Sequence, residues 1–307
     1  MSDLEGQIWM DGSFRDWKDA KIHVLTNTLH YGTGVFEGVR AYETKSGPAI
    51  FRLEDHTDRL FNSANLVGMK IPFDKETLMH AQCDAVSKNN LNNAYIRPLC
   101  FYGSEGMGLR ADNLKVHTMI AAWEWGSYLG EDNMKNGIRI RTSSYARVHA
   151  HPSMAGAKTN GNYVNSMMAL KEAQDHGFDE ALMLDSEGLV SEGSGENIFI
   201  IKDNILYTPH LTSALPGITR HTIFTLAKNL GYEIVEKNLN CDEIYNADEA
   251  FFTGTAAEIT PIRDLDANQI GAGTRGPLTE KLQTLYFDCV HGRNADYLEW
   301  INNGRCV

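Results

Sequence analysis

Basic side chains are in short supply in this chain. Its 307 residues include 28 lysines and arginines against 40 aspartates and glutamates, which gives a net charge of -12. Proteins that bind nucleic acid through its phosphates need a basic face, and no run of basic residues provides one here. The composition therefore argues against a nucleic-acid partner.

Long apolar runs are also missing. No stretch approaches the ~18 apolar residues of a membrane-spanning helix. Residues 1–30 mix charged with apolar side chains, unlike the apolar centre of a signal peptide. These absences predict a soluble protein that has no membrane partner and stays in the cytoplasm.

Cysteines are few, odd in number and far apart. The five are Cys83, Cys100, Cys241, Cys289 and Cys306. No C-x-x-C pair occurs, which is typical of reduced thiols and argues against a disulfide framework or a zinc site. The segment Asp264-x-Asp266-x-Asn268 begins like a calcium loop, but Arg275 stands where the bidentate glutamate belongs. We therefore expect no metal.

The chain does have enough apolar residues to fill sizeable cores. They make up 42% of its 307 residues, which suits two domains or one large one. We predict a small N-terminal α/β domain over residues 1–125 and a large C-terminal domain over 138–307. The glycine-punctuated polar stretch 126–137 is the candidate link and a candidate lid.

Apolar periodicity, caps and turn residues predict a mixture of helices and strands. Helices are expected over residues 53–67, 75–88 (capped by Asp74), 163–176, 218–230 and 278–290. Strands are expected over residues 7–10, 39–42, 95–102, 115–123, 138–143, 180–184, 190–191, 198–201, 205–207, 232–235 and 249–253. A short helical turn is expected within residues 31–37, ahead of the strand at 39–42.

Lys158 is the most informative single residue. It is the only side chain with a full charge between Val148 and Leu170, and small residues flank it. If the fold excludes water there, the pKa of the amine falls and the amine becomes a usable nucleophile and base, as in Schiff-base lysines. The alternative is an ordinary surface lysine, which is the common case. A phosphate loop of the NTPase type is excluded, because Ala157 replaces the glycine that must precede the lysine.

The segment AGAKTNGNYVNS around Lys158 resembles the pyridoxal-phosphate lysine segment of fold-type IV aminotransferases, and most closely that of branched-chain amino acid aminotransferases. Four further blocks match in order: YGTGVFEGVR at 31–40, GLVSEGSGENIF at 188–199, LPGITR at 215–220 and FTGTAAEITPI at 252–262. The resemblance implies an α/β (α+β) fold, with two mixed α/β domains and the cofactor at their interface. It also implies a homodimer whose partner supplies part of the substrate pocket.

The resemblance implies roles for the cofactor residues. Lys158 would bind the aldehyde of pyridoxal 5'-phosphate and move the α-proton of the substrate. Glu192 would keep the ring nitrogen protonated, with Glu196 as its rival, and Tyr163 would bind the phenolic oxygen. The phosphate would be held by Arg59, Gly217, Ile218, Thr219 and Thr255. Taken by its neighbours alone, Arg59 could equally be a surface charge.

The resemblance also implies a substrate pocket for branched-chain L-amino acids and 2-oxoglutarate, used in turn by a ping-pong mechanism. An apolar wall would be formed by Tyr31, Phe36, Met107, Leu109, Trp125 and Tyr128. The α-carboxylate would be held by Tyr95 and by the backbone of Thr255, Ala256 and Ala257. Arg97 shares a strand face with Tyr95 by period-two alternation, so it would bind the distal carboxylate, with Arg40 in support.

Three other activities of the same fold stay open: D-amino acid aminotransferase, (R)-amine aminotransferase and aminodeoxychorismate lyase. Phe36, Gly38 and Arg40 keep the branched-chain pattern, and Arg97 is followed by Pro98-Leu99 instead of the Arg-x-His of the D-specific group. A non-catalytic pyridoxal-phosphate binding protein is the alternative from another class. Glu192 argues against it, because binding alone does not need an electron sink.

Overall fold

The computed structural model describes residues 1, 4–126, 129–130, 132–147, 156–302 and 304–306. The chain divides into two compact units. The first comprises Met1–Trp125, Ala157–Gly161 and Asp288–Val307, and the second comprises Gly126–Gly156 and Asn162–Phe287. Both mix helices with a sheet, as the predicted α/β class requires, while the predicted domain limits stay a prediction.

The helices are α1 Asn27–Tyr31, α2 Leu53–Leu66, α3 Lys75–Lys88, α4 Asn133–Asn136, α5 Asn162–Asp175, α6 Ile218–Asn229, α7 Cys241–Tyr245, α8 Pro277–Val290 and α9 Glu299–Asn302. The strands of the first unit are β1 Gln7–Met10, β2 Ser13–Asp16, β3 Gly34–Phe36, β4 Val39–Thr44, β5 Gly47–Ile50, β6 Ala94–Tyr102 and β7 Val116–Trp123. The strands of the second unit are β8 Ile138–Thr142, β9 Glu180–Leu184, β10 Val190–Gly193, β11 Asn197–Lys202, β12 Ile205–Thr208, β13 Ile234–Glu236, β14 Glu249–Gly254, β15 Glu258–Leu265 and β16 Asn268–Gln269. None of the helices in the described residues is long and apolar enough to cross a bilayer.

The sheet of the first unit has the order β2-β1-β7-β6-β4-β5, with β3 paired to β6. Helices α2 and α3 contribute the buried Leu60 and Leu78 to a core that also contains Ile96 of β6 and Ile120 of β7. Asp74 caps α3 as predicted, because its carboxylate accepts a hydrogen bond from the backbone N–H of Thr77 at 2.8 Å.

The helical turn predicted within residues 31–37 is wrong. Helix α1 occupies residues 27–31 and ends at Gly32, which adopts the left-handed conformation at φ 71°. Residues 34–36 form strand β3 instead, where Val35 pairs with Cys100 of β6. Because Gly32 ends the helix early, the segment that follows it is free to pair as a strand.

The sheet of the second unit is mixed, in the order β10-β9-β8-β15-β14-β11-β12-β13, with β16 paired to β15. Strand β15 was not predicted, since it contains Pro261 and proline is normally confined to sheet edges. The structure tolerates the proline because Pro261 pairs with Phe251 of β14 on one side. Pairing of β15 with β8 on the other side begins one residue later, at Ile262.

Candidate active site

Lys158 lies on a strap, residues 157–161 of the first unit, that runs antiparallel to β3. Val35 and Thr159 form an isolated antiparallel bridge. The N–H of Phe36 donates to the carbonyl of Lys158 at 3.1 Å, and the N–H of Asn160 donates to the carbonyl of Gly34 at 2.9 Å. Backbone hydrogen bonds at Lys158 and at Asn160 therefore fix the direction in which the Lys158 side chain leaves the strap.

Helix α2 holds the strap from its other side. The backbone N–H of Lys158 donates to the buried hydroxyl Oγ of Ser63 at 3.0 Å. The Lys158 side chain is half-buried, and its Nζ lies 5.1 Å from the centroid of the Phe36 ring. The amine therefore lies over an aromatic face, which differs from the open surroundings of an ordinary surface lysine.

Arg59 belongs to a buried cluster that we name the Glu37 triad: Glu37, His56 and Arg59. Glu37 Oε1 accepts from Arg59 Nε at 2.7 Å, and Glu37 Oε2 accepts from Arg59 Nη2 at 2.9 Å. His56 Nδ1 lies 2.8 Å from Glu37 Oε2. Arg59 is therefore not the surface charge that its sequence neighbours allow.

The pKa values within the Glu37 triad follow from burial and from the two cations nearby. Burial alone would raise the pKa of Glu37, but the charge of Arg59 and the hydrogen bonds from His56 and Arg59 lower it well below its usual range. Burial lowers the pKa of His56, and the charges of Arg59 and Lys158 lower it further against the opposing effect of Glu37. At neutral pH the triad thus combines an ionised Glu37, a neutral His56 and a charged Arg59.

Tyr95 and Arg97 lie on the same face of β6, as alternation predicts. Arg97 Nη2 donates to the hydroxyl of Tyr95 at 3.0 Å, and the Arg97 guanidinium carbon lies 4.7 Å from the Phe36 ring centroid. Trp125 meets Tyr95 edge to face at 4.5 Å. A Cβ at Gly38 would lie 2.1 Å from the Tyr95 hydroxyl, so the absence of a side chain at residue 38 makes room for that hydroxyl.

The other residues predicted for the pocket of the first unit differ in exposure. Arg40 is buried on β4, where its Cα is paired with that of Tyr95. Tyr31, Met107 and Leu109 are 42%, 52% and 89% exposed, and their place in the apolar wall stays a prediction. Tyr128, predicted for the same wall, lies outside the described residues.

In the second unit, Glu192 on β10 is buried and surrounded by donors. Its Oε2 accepts from Asn197 Nδ2 at 3.2 Å and from the backbone N–H of Leu215 at 3.1 Å. Its Oε1 forms an ion pair with Arg147. Glu196, the rival acid, accepts a hydrogen bond from the N–H of Gly195 at 3.0 Å. This is a local contact within its own loop.

The segment predicted to bind phosphate begins helix α6 of the second unit. Gly217 is the N-cap residue, and Ile218 and Thr219 are buried. A Cβ at Gly217 would lie 2.0 Å from Asn197 Oδ1, so this glycine lets Asn197 reach both Glu192 and the helix start. The positive end of the helix dipole at a helix start suits an anion.

Thr255, Ala256 and Ala257 form the three-residue turn between β14 and β15. Glu258 closes the turn at φ 56°, the left-handed position usual in three-residue hairpins. Tyr163 is half-buried in the first turn of α5. Thr255 thus lies in a turn and Tyr163 at the start of a helix, as predicted. The roles of these residues toward a ligand stay predictions.

Sequence reasoning missed Glu37, His56, Ser63 and Arg147. A signal existed for two of them, since His56, Arg59 and Ser63 recur at helical spacing on one face of α2. No local pattern indicates Glu37, although it lies in the block 31–40. Arg147 is 45 positions before Glu192 in the sequence, and only the folded chain pairs them.

Comparison with known proteins adds a family and close relatives. Residues 34–265 match the family described as amino-transferase class IV. The chain is 61% identical over 300 residues to the branched-chain-amino-acid aminotransferase of Pseudomonas aeruginosa, covering 98% of each protein. It superimposes with a TM-score of 0.95 and 47% identity on a T.th. branched-chain amino acid aminotransferase with pyridoxamine 5'-phosphate, covering 97% of this chain and 98% of that one. The T.th. enzyme complexed with N-(5'-phosphopyridoxyl)-L-glutamate gives a TM-score of 0.93 at 46% identity, with the shares 97% and 98%.

Proposed function

The chain belongs to the class IV aminotransferases, and from this premise we propose that it transfers amino groups between leucine, isoleucine or valine and 2-oxoglutarate, with pyridoxal 5'-phosphate as its cofactor. The observation that carries the proposal is the setting of Lys158. Its strap is fixed by β3 and by Ser63, and its amine lies over the Phe36 ring. The 61% identity to a branched-chain enzyme supports the choice of substrates.

The residues present fit the cofactor. A buried carboxylate such as Glu192 suits a protonated ring nitrogen. Arg59 suits a phosphate, and so does the start of α6. When bound, the cofactor supplies an aldehyde for an amine and a ring that accepts electrons. Lys158 would bind that aldehyde and then move the α-proton of the substrate as base and acid. Tyr163 would donate to the phenolic oxygen, and Thr255 would add a phosphate contact.

The substrate residues fit two kinds of side chain. Phe36 and Trp125 would provide an apolar surface for branched side chains, and Arg97, anchored by Tyr95, would provide a cation for the distal carboxylate of glutamate. Arg40 on β4 and Gly38, just before β4, would support these residues. The backbone of Thr255, Ala256 and Ala257 would hold the α-carboxylate.

We propose further that the protein is a cytoplasmic homodimer. Tyr31, Met107 and Leu109 are apolar yet exposed in the single chain, which supports a place for them in the pocket of a partner subunit. An exposed leucine alone is ordinary. Three exposed apolar residues that are all predicted for the apolar wall of the substrate pocket form a more specific pattern than one exposed leucine.

An amino-donor panel with 2-oxoglutarate as acceptor tests the activity. Leucine, isoleucine and valine should be the best donors, with glutamate as the product, and Lys158→Ala should be inactive and lack the visible band of lysine-bound cofactor. Preference for D-alanine or an (R)-amine would support the alternative activities of the fold. A Lys158→Ala variant with near-normal activity would overturn the assignment.

A further inference from the structure

The Glu37 triad contains two groups, an acid and a histidine, besides the one cation that phosphate binding requires. A buried carboxylate is costly unless it is paired, and Glu37 is only 1% exposed. An arginine alone would supply the cation. The chain nonetheless places an acid behind Arg59 and a histidine behind the acid.

The hydrogen bonds to Glu37 restrict the orientation of the Arg59 side chain. Two parallel bonds from Nε and Nη2 to one carboxylate fix the plane of the guanidinium. Glu37 is itself fixed, because its backbone N–H donates to the carbonyl of Pro98 at 2.9 Å and its Oε2 is bound by His56. The orientation of Arg59 therefore follows from β6 and from the segment that joins β3 to β4.

The charges of the Glu37 triad contribute to the electrostatic surroundings of Lys158. Helix α2 contributes His56, Arg59 and Ser63, the strap contributes Lys158, and the segment between β3 and β4 contributes Glu37. Glu37 offsets the charge of Arg59, which lies in the same unit as Lys158. His56 binds the Oε2 oxygen of Glu37 without adding a second positive charge, because it is neutral at pH 7.

We propose that Glu37 and His56 are positioning residues: both orient Arg59 for the cofactor phosphate, and Glu37 also offsets the charge of Arg59 beside Lys158. The inference rests on the proposed use of pyridoxal 5'-phosphate. It assigns two separable roles to Glu37, one geometric and one electrostatic. His56 has the geometric role alone.

The geometric role is tested by the selectivity of the apoprotein for pyridoxal phosphate over pyridoxal, which lacks the phosphate. Glu37→Asp keeps the charge but shortens the reach, and His56→Leu removes the donor. Both should lower this selectivity roughly fivefold or more, whereas His56→Gln, which keeps a donor, should restore much of it. Equal weakening for both ligands would mean a merely structural role and would overturn the proposal.

The electrostatic role is tested by the pH at which the visible band of lysine-bound cofactor changes. Glu37→Gln removes the negative charge that is paired with Arg59, so this transition should move to lower pH by on the order of one unit. Glu37→Asp and the control Glu43→Gln, an exposed acid on β4, should not move it. An unchanged transition in Glu37→Gln would refute the role.

Melting temperatures of the apoproteins show which variants fold. If Glu37→Gln fails to fold, Arg59→Gln decides the electrostatic claim, because it leaves the negative charge of Glu37 without the cation paired to it and should move the transition to higher pH. An unchanged transition in Arg59→Gln would refute the role. Absence of the visible band in the wild-type protein would overturn the proposed function itself. A normal wild-type band with unaltered variants would overturn this inference alone.

Discussion

Individual side chains in this protein are fixed by partners that lie far away in sequence. Glu192 illustrates the point: Arg147 binds one of its oxygens, and Asn197 and the N–H of Leu215 bind the other. Charge-assisted hydrogen bonds of this kind stabilise a carboxylate. A neutral amide in its place would keep the shape of the site and lose the negative charge.

Glu192→Gln should therefore retain the cofactor and slow the proton transfer. We expect kcat and kcat/KM to fall together, by on the order of 10²-fold, because the interaction is needed mainly in the transition state. Single-turnover absorbance changes measure the step directly. Glu196→Gln is the matched control, and a larger loss in that variant would move the role from Glu192 to Glu196.

Arg97→Leu should separate the two substrates. A hydrogen bond to a charged group contributes about 1.5–3 kcal/mol, or about 10- to 150-fold in kcat/KM. That loss should affect glutamate and 2-oxoglutarate but spare isoleucine. Stopped-flow measurement of each half-reaction gives the ratio, and Tyr95→Phe, which removes the anchoring hydroxyl at 3.0 Å, should show a smaller selective loss. Equal losses for both substrates would mean that Arg97 is structural and would shift attention to Arg40.

At the scale of elements, regular helices were predictable and irregular pairing was not. The predicted limits of α2, α3 and α6 agree with the structure to within one residue, since apolar periodicity and flanking caps carry that information locally. Strand β15 was missed because its proline contradicts strand propensity and only the register of its neighbours resolves the conflict. The candidate site divides in the same way. The family resemblance indicated Lys158 and Arg59, whereas the partners that hold these two residues depend on tertiary contacts.

Gly38, just before β4, lies at a position that is sensitive to a single added methyl group. Gly38→Ala would place a Cβ 2.1 Å from the Tyr95 hydroxyl, so Tyr95 must move and Arg97 loses its anchor. Displacement by about 1 Å can cost on the order of 10²-fold in kcat/KM, and we expect a loss of that order with both substrates. Gly126→Ala, where a Cβ would meet no atom of the described residues within 4 Å, is the control. Tyr95→Phe removes the nearest clashing atom but leaves the ring carbon Cζ at 2.9 Å, so the double variant should recover part of the lost thermal stability. A Gly38→Ala variant as active as wild type would disprove the clash.

At the scale of the whole molecule, the proposed dimer gives a complementation test. Lys158→Ala should be inactive and a Leu109→Asp variant weakly active, the second because its exposed side chain no longer suits the partner's pocket. After mixed refolding, about half of the dimers are heterodimers, each with one intact site, so activity should rise to about a quarter of wild type. No recovery would mean that Leu109 acts within its own subunit or not at all.

The stability of the folded chain should depend on a buried acid outside the proposed site. Glu180, the first residue of β9, is fully buried, and burial raises its pKa to about 7 against the hydrogen bonds from Ala181 and Ser194. In the unfolded chain the same carboxyl ionises near pH 4.5. Its favourable contribution is therefore complete below pH 4.5 and is lost as the pH rises to about 7, because the unfolded state then binds fewer protons than the folded one.

Glu180→Gln replaces this carboxyl with a neutral group that has no such pH dependence. The change from 4.5 to about 7 corresponds to about 3 kcal/mol. Denaturant unfolding of the apoprotein should show Glu180→Gln gaining up to that amount over the wild type between about pH 4.5 and pH 8. Glu187→Gln changes an exposed carboxyl in the turn between β9 and β10 and should leave the pH dependence unaltered. A stability difference between Glu180→Gln and wild type that is constant with pH would mean that Glu180 is ionised in the folded protein, so that a group able to compensate its charge must lie beside it.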